Sequence, residues 1–162
     1  MRAYVAGSGV ALLLCDVGLV PGIRAQNATW NGVTSNFNSA ANWLPTTVPT
    51  GTAFFGATGL PITSSGPATL GGFTFNAGAQ AFTFGTTSQT AGLAFTGAGI
   101  ANHSASAPSF IVANGGVVAA TPGLSFTSAA SAGNSVIANT DGGVTVFFSG
   151  AGSSARVRPA TP

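Results

Sequence analysis

Residues 124–152 read LSFTSAASAGNSVIANTDGGVTVFFSGAG, and this stretch decides the fold. It contains two similar phrases, in which Phe126 and Phe148 each end an apolar group and are followed by small residues. The apolar residues 136–137 and 144–147 lie between the phrases, and the turn-forming residues 139–143 separate them. Apolar pairs that alternate with small-residue and Asn/Gly corners are typical of a β-solenoid. The spacing of 22 residues between the two phenylalanines predicts that they occupy equivalent positions in consecutive coils.

The same alternation of short apolar segments and small-residue corners begins near Gly71. A pattern such as Phe-Thr-Phe directs every second side chain to one face of a strand. Most segments start about nine to twelve residues apart, with a longer step after Leu93. We therefore predict an all-β fold, a short β-solenoid over residues 57–152 with two or three strands per coil and phenylalanines stacked inside. The segments are residues 73–75, 82–84, 93–95, 110–112, 117–118, 124–126, 136–137 and 144–148.

The composition excludes several classes of protein. Charged residues make up 4% of the chain, against about 25% in an average protein. Beyond residue 26 the only cations are Arg156 and Arg158, too few to neutralise a phosphate backbone, so we expect no nucleic-acid partner. A hydrophobic content of 45% argues against disorder. The abundance of Gly, Ser and Thr disfavours α-helix.

The N-terminus predicts an export signal. Arg2 is followed by an apolar run and then by small residues, so we expect a helical signal peptide over residues 1–25 with cleavage after Ala25. Asp16 interrupts the run, which leaves a helix of the mature protein as the alternative. Cys15 could also be read as the lipid-modified cysteine of a lipoprotein. Such a cysteine normally follows a small residue, whereas Cys15 follows Leu14, so we favour the secretory signal peptide. Export predicts a periplasmic, cell-surface or extracellular location in a Gram-negative bacterium.

Both tryptophans lie in the next segment, residues 26–56. Trp30 precedes a turn-forming Asn-Gly pair, residues 39–43 could form one helical turn or a loop, and residues 52–55 are predicted to form a strand. Trp30 and Trp43 could form a ligand-stacking platform for a sugar. The alternative that we favour is that they cap the open end of the solenoid, because terminal coils must cover apolar groups that inner coils bury against each other.

Residues 30–56 resemble the N-terminal segment of bacterial autotransporter passenger domains and of exported proteins with autotransporter-associated β-strand repeats. The resemblance implies a right-handed parallel β-helix displayed at the cell surface. Autotransporters end in a membrane β-barrel that the present sequence lacks, so we expect a passenger fragment, truncated or frame-disrupted, with an irregular tail over residues 153–162. The matching residues are Trp30, Gly32, Phe37, Ala40, Asn42, Trp43, Val48, Pro49, Gly51, Ala53, Phe55 and Gly56.

Residues that could carry chemistry are scarce. His103 is the only histidine, and Asp141 is the only carboxylate side chain beyond residue 25. A Ser/His/Asp triad is arithmetically possible but has no motif to support it, and the paired carboxylates of glycoside hydrolysis and the acidic clusters of a pectinase-like β-helix enzyme are absent from the sequence. We therefore expect no catalytic residue, no metal site and no cofactor.

These observations favour a non-enzymatic, exported, structural or adhesin-like passenger fragment. Its expected partner is a surface ligand or a host or matrix component, and an open C-terminal coil could also support self-association. The alternative is an extracellular carbohydrate-binding module that uses Trp30 and Trp43.

Overall fold

The computed structural model describes residues 24–59, 61–86, 90–113, 123–148, 150–152 and 156–158. These ranges contain twelve short strands, one 3₁₀ turn at Ala40–Asn42 and no α-helix. The predicted signal peptide lies almost wholly outside the described residues. The strands are β1 (Ala28–Trp30), β2 (Trp43–Leu44), β3 (Thr52–Phe55), β4 (Ile62–Ser64), β5 (Pro67–Phe75), β6 (Thr83–Thr86), β7 (Gly92–Asn102), β8 (Ser109–Ala113), β9 (Leu124–Phe126), β10 (Val136–Thr140), β11 (Thr145–Phe147) and β12 (Arg156–Arg158).

The strands form two parallel sheets that wind around one core. One sheet has the order β11-β9-β7-β5-β3-β1-β2, and the other has the order β12-β10-β8-β6-β4. Every pair is parallel except β1 with β2. From β3 onward, successive strands alternate between the sheets, as expected when a chain coils and each coil stacks on the one before. The fold is an all-β solenoid of about four coils, which confirms the sequence-based prediction of the architecture.

A coil has three faces, because β5 and β7 each contribute one segment to each of two faces. The register between these two strands shifts between Leu70 and Gly72. The first half of β7 pairs with β9, whereas β3 pairs with the second half of β5. We call these the first face (residues 67–70, 92–95, β9 and β11), the second face (β1, β3, residues 72–75 and 99–102) and the third face (β4, β6, β8, β10 and β12).

The core is a set of apolar columns that run from coil to coil. On the third face the parallel register aligns Phe84 with Phe110, and their rings stack with centroids 5.0 Å apart and planes at 15°. Ile62 precedes them in the same column and Ile137 follows, both buried. Each fully buried residue of this size stabilises the fold by about 1.5–3 kcal/mol relative to exposure. Period-2 alternation thus places every second residue of a strand in the interior, as Phe110 and Val112 in β8 show.

The register of the last coil differs from the one that the sequence predicted. Phe126 aligns with Phe147, and their rings stack with centroids 4.9 Å apart. Phe148, expected as its counterpart, is 50% exposed. Neighbouring residues on a strand face opposite sides, so a displacement of one position exchanges the buried residue for the exposed one.

Strand pairing extends beyond the range in which repeats were expected. In the segment assigned to a cap, β1 pairs in parallel with β3, and β3 pairs in parallel with β5. At the other end β12 pairs with β10, within residues 153–162, for which we expected an irregular tail. In the part of the chain that is described, no helix has the length and apolar character needed to cross a membrane.

Candidate functional site

The two tryptophans lie together at the N-terminal end of the solenoid. β2 pairs antiparallel with β1, and this register places Trp30 opposite Trp43. The indole rings meet edge to face, with centroids 5.0 Å apart and planes at 74°. Trp30 is 3% exposed and Trp43 is 1% exposed. Stacking against a sugar requires a ring face open to solvent, and neither ring offers one.

Phe37 completes this aromatic cluster. Its ring packs edge to face on Trp43, with centroids 5.0 Å apart, and its backbone carbonyl accepts a hydrogen bond of 2.8 Å from the indole Nε1 of Trp43. Trp43 also packs against Phe55, the first fully buried phenylalanine of the second face. The cluster therefore continues the aromatic core. In the sequence, Phe37 stands out only as one of the residues that carry the resemblance to autotransporter passengers, because no strand pattern surrounds it.

The indole N–H of Trp30 is a buried donor with no partner among the described residues. Gly32 lies beside it, and a Cβ atom at that position would stand 3.1 Å from Nε1. An unpaired buried donor is costly, by about 1–3 kcal/mol. The two buried tryptophans thus differ in hydrogen bonding. Nε1 of Trp43 has an acceptor, and Nε1 of Trp30 has none among the described residues.

Asn42 holds the loop that precedes the second tryptophan. Its side chain is fully buried and makes three hydrogen bonds. The Oδ1 atom accepts from the backbone N–H of Thr34 at 2.6 Å, and Nδ2 donates to the Thr34 hydroxyl at 2.8 Å and to the carbonyl of Asn36 at 2.6 Å. A buried amide with satisfied donors and acceptor fixes a loop that has no regular pairing of its own.

A second asparagine ties this loop to the third face. The Oδ1 atom of Asn38 accepts from the backbone N–H groups of Ser65 at 2.9 Å and Gly66 at 3.1 Å. Beside it, the N–H of Phe37 donates to the carbonyl of Thr63, and the N–H of Thr63 donates to the carbonyl of Ser35. The N-terminal edge of β4 therefore has backbone partners in residues 35–37.

The residues with catalytic potential are exposed and lie at different corners. His103 follows the second-face half of β7, and its backbone N–H donates to the carbonyl of Phe75. Asp141 begins the turn between the third face and the first, with φ of 47°. The described chain contains no cluster of three or more His, Cys, Asp and Glu side chains that could hold a metal ion. The topology does not bring His103 and Asp141 together.

Comparison with known proteins found no matching family model, no matching curated protein and no matching solved structure. A function for this chain is therefore inferred from its own residues and fold.

Proposed function

We propose that this chain is a non-enzymatic structural module, an adhesin-like passenger fragment of the autotransporter type, exported to the periplasm, cell surface or extracellular space. Its function would then depend on the shape and surface of the rod rather than on a reactive group. The observation that carries this proposal is that the apolar residues are used to build the core, while the few residues with catalytic potential lie apart on the surface. The buried apolar side chains form one continuous core, whereas His103 and Asp141 are exposed and lie at different corners.

The proposal includes a role for the N-terminal aromatic residues. Trp30, Phe37 and Trp43 would close the first coil as a cap, in a solenoid whose coils wind right-handed. Support comes from the burial of all three rings and from β2, which has only two residues and is followed by Pro45, a residue without an N–H. A short edge strand ending at proline offers little backbone for pairing with another chain.

Export and binding can be tested together with the full chain. We expect expression in a Gram-negative host to yield a product outside the cytoplasm whose mass corresponds to a chain starting at Gln26. Beads coated with this product should then bind a matrix panel of collagen, fibronectin and laminin more strongly than uncoated beads. Retention of the uncleaved chain in the cytoplasm would overturn the export part. Absence of binding across the panel would overturn the adhesin-like part, and turnover of polysaccharide or ester substrates would overturn the non-enzymatic part.

The alternative is a carbohydrate-binding module that uses Trp30 and Trp43. It is the weaker proposal, because the two rings are 3% and 1% exposed and a bound sugar would have to displace packed core residues. Titration of the protein with a panel of soluble polysaccharides, followed by tryptophan emission, distinguishes the two. Saturable quenching that is lost in Trp43→Phe would favour the carbohydrate-binding module, and unchanged emission would exclude it.

A further inference from the structure

The two ends of the solenoid differ in how their strand edges are occupied. At the N-terminal end β2 covers β1, and residues 35–37 hydrogen-bond to Thr63 in β4. At the C-terminal end β11 and β12 are the outermost described strands of their sheets. A strand edge without a neighbour presents a row of backbone donors and acceptors that another strand can use. Among the described residues, β12 presents such an edge, with all three of its residues exposed.

In the described part of the chain, the apolar column of the third face extends as far as this edge. Val157 aligns with Ile137, which aligns with Phe110. Ile137 is fully buried and Phe110 is 2% exposed, but Val157 is 45% exposed. The column therefore ends in a half-covered valine, and an added strand with one apolar residue at this position would bury it.

Two arginines flank the valine. Arg156 aligns with Val136 and Arg158 aligns with Ala138, positions whose side chains lie on the opposite side of the strand from buried Ile137. Both arginines are exposed. The edge thus offers a basic–apolar–basic pattern, with the two guanidinium groups on the outer surface and the valine towards the core.

We propose that β12 is a docking strand for an extended segment of a different protein, whose sequence places an apolar residue between two acidic ones. Such a segment would add to the third face by backbone pairing, cover Val157 and pair its two carboxylates with Arg156 and Arg158. Addition of a strand to a sheet edge is a general mode of peptide recognition, in which alternate side chains supply specificity. Opposite charges on neighbouring strands stabilise the pairing, and like charges oppose it.

A second copy of this chain does not fit the same site. The 162 residues contain only two acidic side chains, Asp16 and Asp141, so no segment of the chain supplies a closely spaced acidic pair. Pairing of β12 with itself about Val157 would set Arg156 of one copy against Arg158 of the other. Head-to-tail stacking on the third face meets the edge of β4 already bonded to residues 35–37. This inference concerns the C-terminal edge alone and does not rest on the proposed adhesin-like role.

The proposal is tested with the full chain and a fluorescently labelled, end-blocked peptide, Ser-Thr-Glu-Val-Glu-Thr-Ser. Fluorescence anisotropy should show saturable binding that weakens with added salt. The otherwise identical peptide with Lys in place of Glu should bind at least about tenfold more weakly. The affinity of the double variant Arg156→Ala/Arg158→Ala for the Glu peptide should fall by a similar factor. The double reversal Arg156→Glu/Arg158→Glu should bind the Lys peptide and reject the Glu peptide.

The charge-reversed variant is the control for folding, since an unfolded chain would not gain affinity for the Lys peptide. Equal binding of the two peptides to the natural sequence, or no binding of either, would overturn the proposal. Sedimentation equilibrium adds a second measure. A dimer of the natural sequence that persists in Arg156→Ala/Arg158→Ala and excludes the Glu peptide would make a second copy the occupant and would also overturn it.

Discussion

Phe126 and Phe147 stack almost parallel across consecutive coils, with planes at 5° and centroids 4.9 Å apart. Phe95 stacks on the other side of Phe126 at 5.1 Å, so one column of rings joins three coils of the first face. The parallel pairing of β9 with β11 sets this alignment. The column shows how the fold is stabilised: backbone register brings equivalent rings together, and their burial stabilises each added coil.

The choice between adjacent phenylalanines gives the first prediction. Phe147→Ala removes a ring that packs against the core, and we expect it to lower the free energy of unfolding by about 2–3 kcal/mol. Phe148→Ala, at a side chain that is 50% exposed, is the matched control and should change it by no more than about 0.5 kcal/mol. Urea denaturation followed by circular dichroism measures both. A larger loss in Phe148→Ala would mean that the register of β11 is displaced by one residue.

This pair also marks a limit of the sequence-based prediction. Period-2 alternation located parts of β5, β7 and β9, because residues 73–75, 93–95 and 124–126 each place their large apolar side chains at every second position. Residues 144–148 contain adjacent apolar residues, so either phase of alternation is acceptable locally. Which of the two phenylalanines is buried depends on the backbone hydrogen bonds between β11 and β9 in the neighbouring coil. The local sequence of residues 144–148 carries no information about that pairing. Strand β4 was missed for a related reason, since Ile62 is its only large apolar side chain.

Gly99 gives the second prediction. It has φ of +79°, and a Cβ atom there would collide with the backbone of Ser131 in the next coil. We expect Gly99→Ala to destabilise the protein by about 3 kcal/mol, because the backbone strain and the collision both contribute. Gly78→Ala separates these terms: its φ is +82° but no atom lies within 4 Å of the added Cβ, so the cost should be about 1–2 kcal/mol.

Gly56→Ala completes this series as the neutral control. Its φ lies outside the positive range and its Cβ would meet no atom within 4 Å, so we expect no loss and a gain of up to about 1 kcal/mol from the unfolded state. The midpoints of urea unfolding should follow the order Gly56→Ala, Gly78→Ala, Gly99→Ala, from highest to lowest. Equal midpoints for Gly78→Ala and Gly99→Ala would show that the coils can separate at Ser131 without cost.

The tryptophans give the third prediction. Trp43→Phe removes the donor that satisfies the buried carbonyl of Phe37, whereas Trp30→Phe removes a donor that has no partner among the described residues. Both changes delete the same ring volume, so the difference between them reports the hydrogen bond. We expect Trp43→Phe to be more destabilising than Trp30→Phe by about 1–3 kcal/mol. Chemical denaturation of the two variants measures this difference, and the reverse order would contradict the assigned hydrogen bond.

The candidate site was only partly predictable from the sequence. Trp-Asn-Gly indicated a strand end and a turn, but the burial of both indoles depends on Phe37 and Phe55, which come from separate elements. The position of Phe37 follows from hydrogen bonds of Asn42 and Asn38, side chains that in sequence resemble ordinary loop asparagines. The local sequence around an asparagine does not show whether its side chain is free in a loop or holds the loop in place through hydrogen bonds.

Asn42 therefore gives the last prediction. Asn42→Ala leaves the backbone N–H of Thr34 and the carbonyl of Asn36 without their partner, and we expect a loss of about 1–3 kcal/mol in the free energy of unfolding. Asn31→Ala, at an exposed asparagine in the same segment, should stay within about 0.5 kcal/mol of the natural sequence. Because Asn42 directly precedes Trp43, its loss should also loosen the aromatic cluster and increase quenching of tryptophan emission by acrylamide. A destabilised Asn42→Ala variant with unchanged quenching would show that the tryptophans keep their burial without this loop.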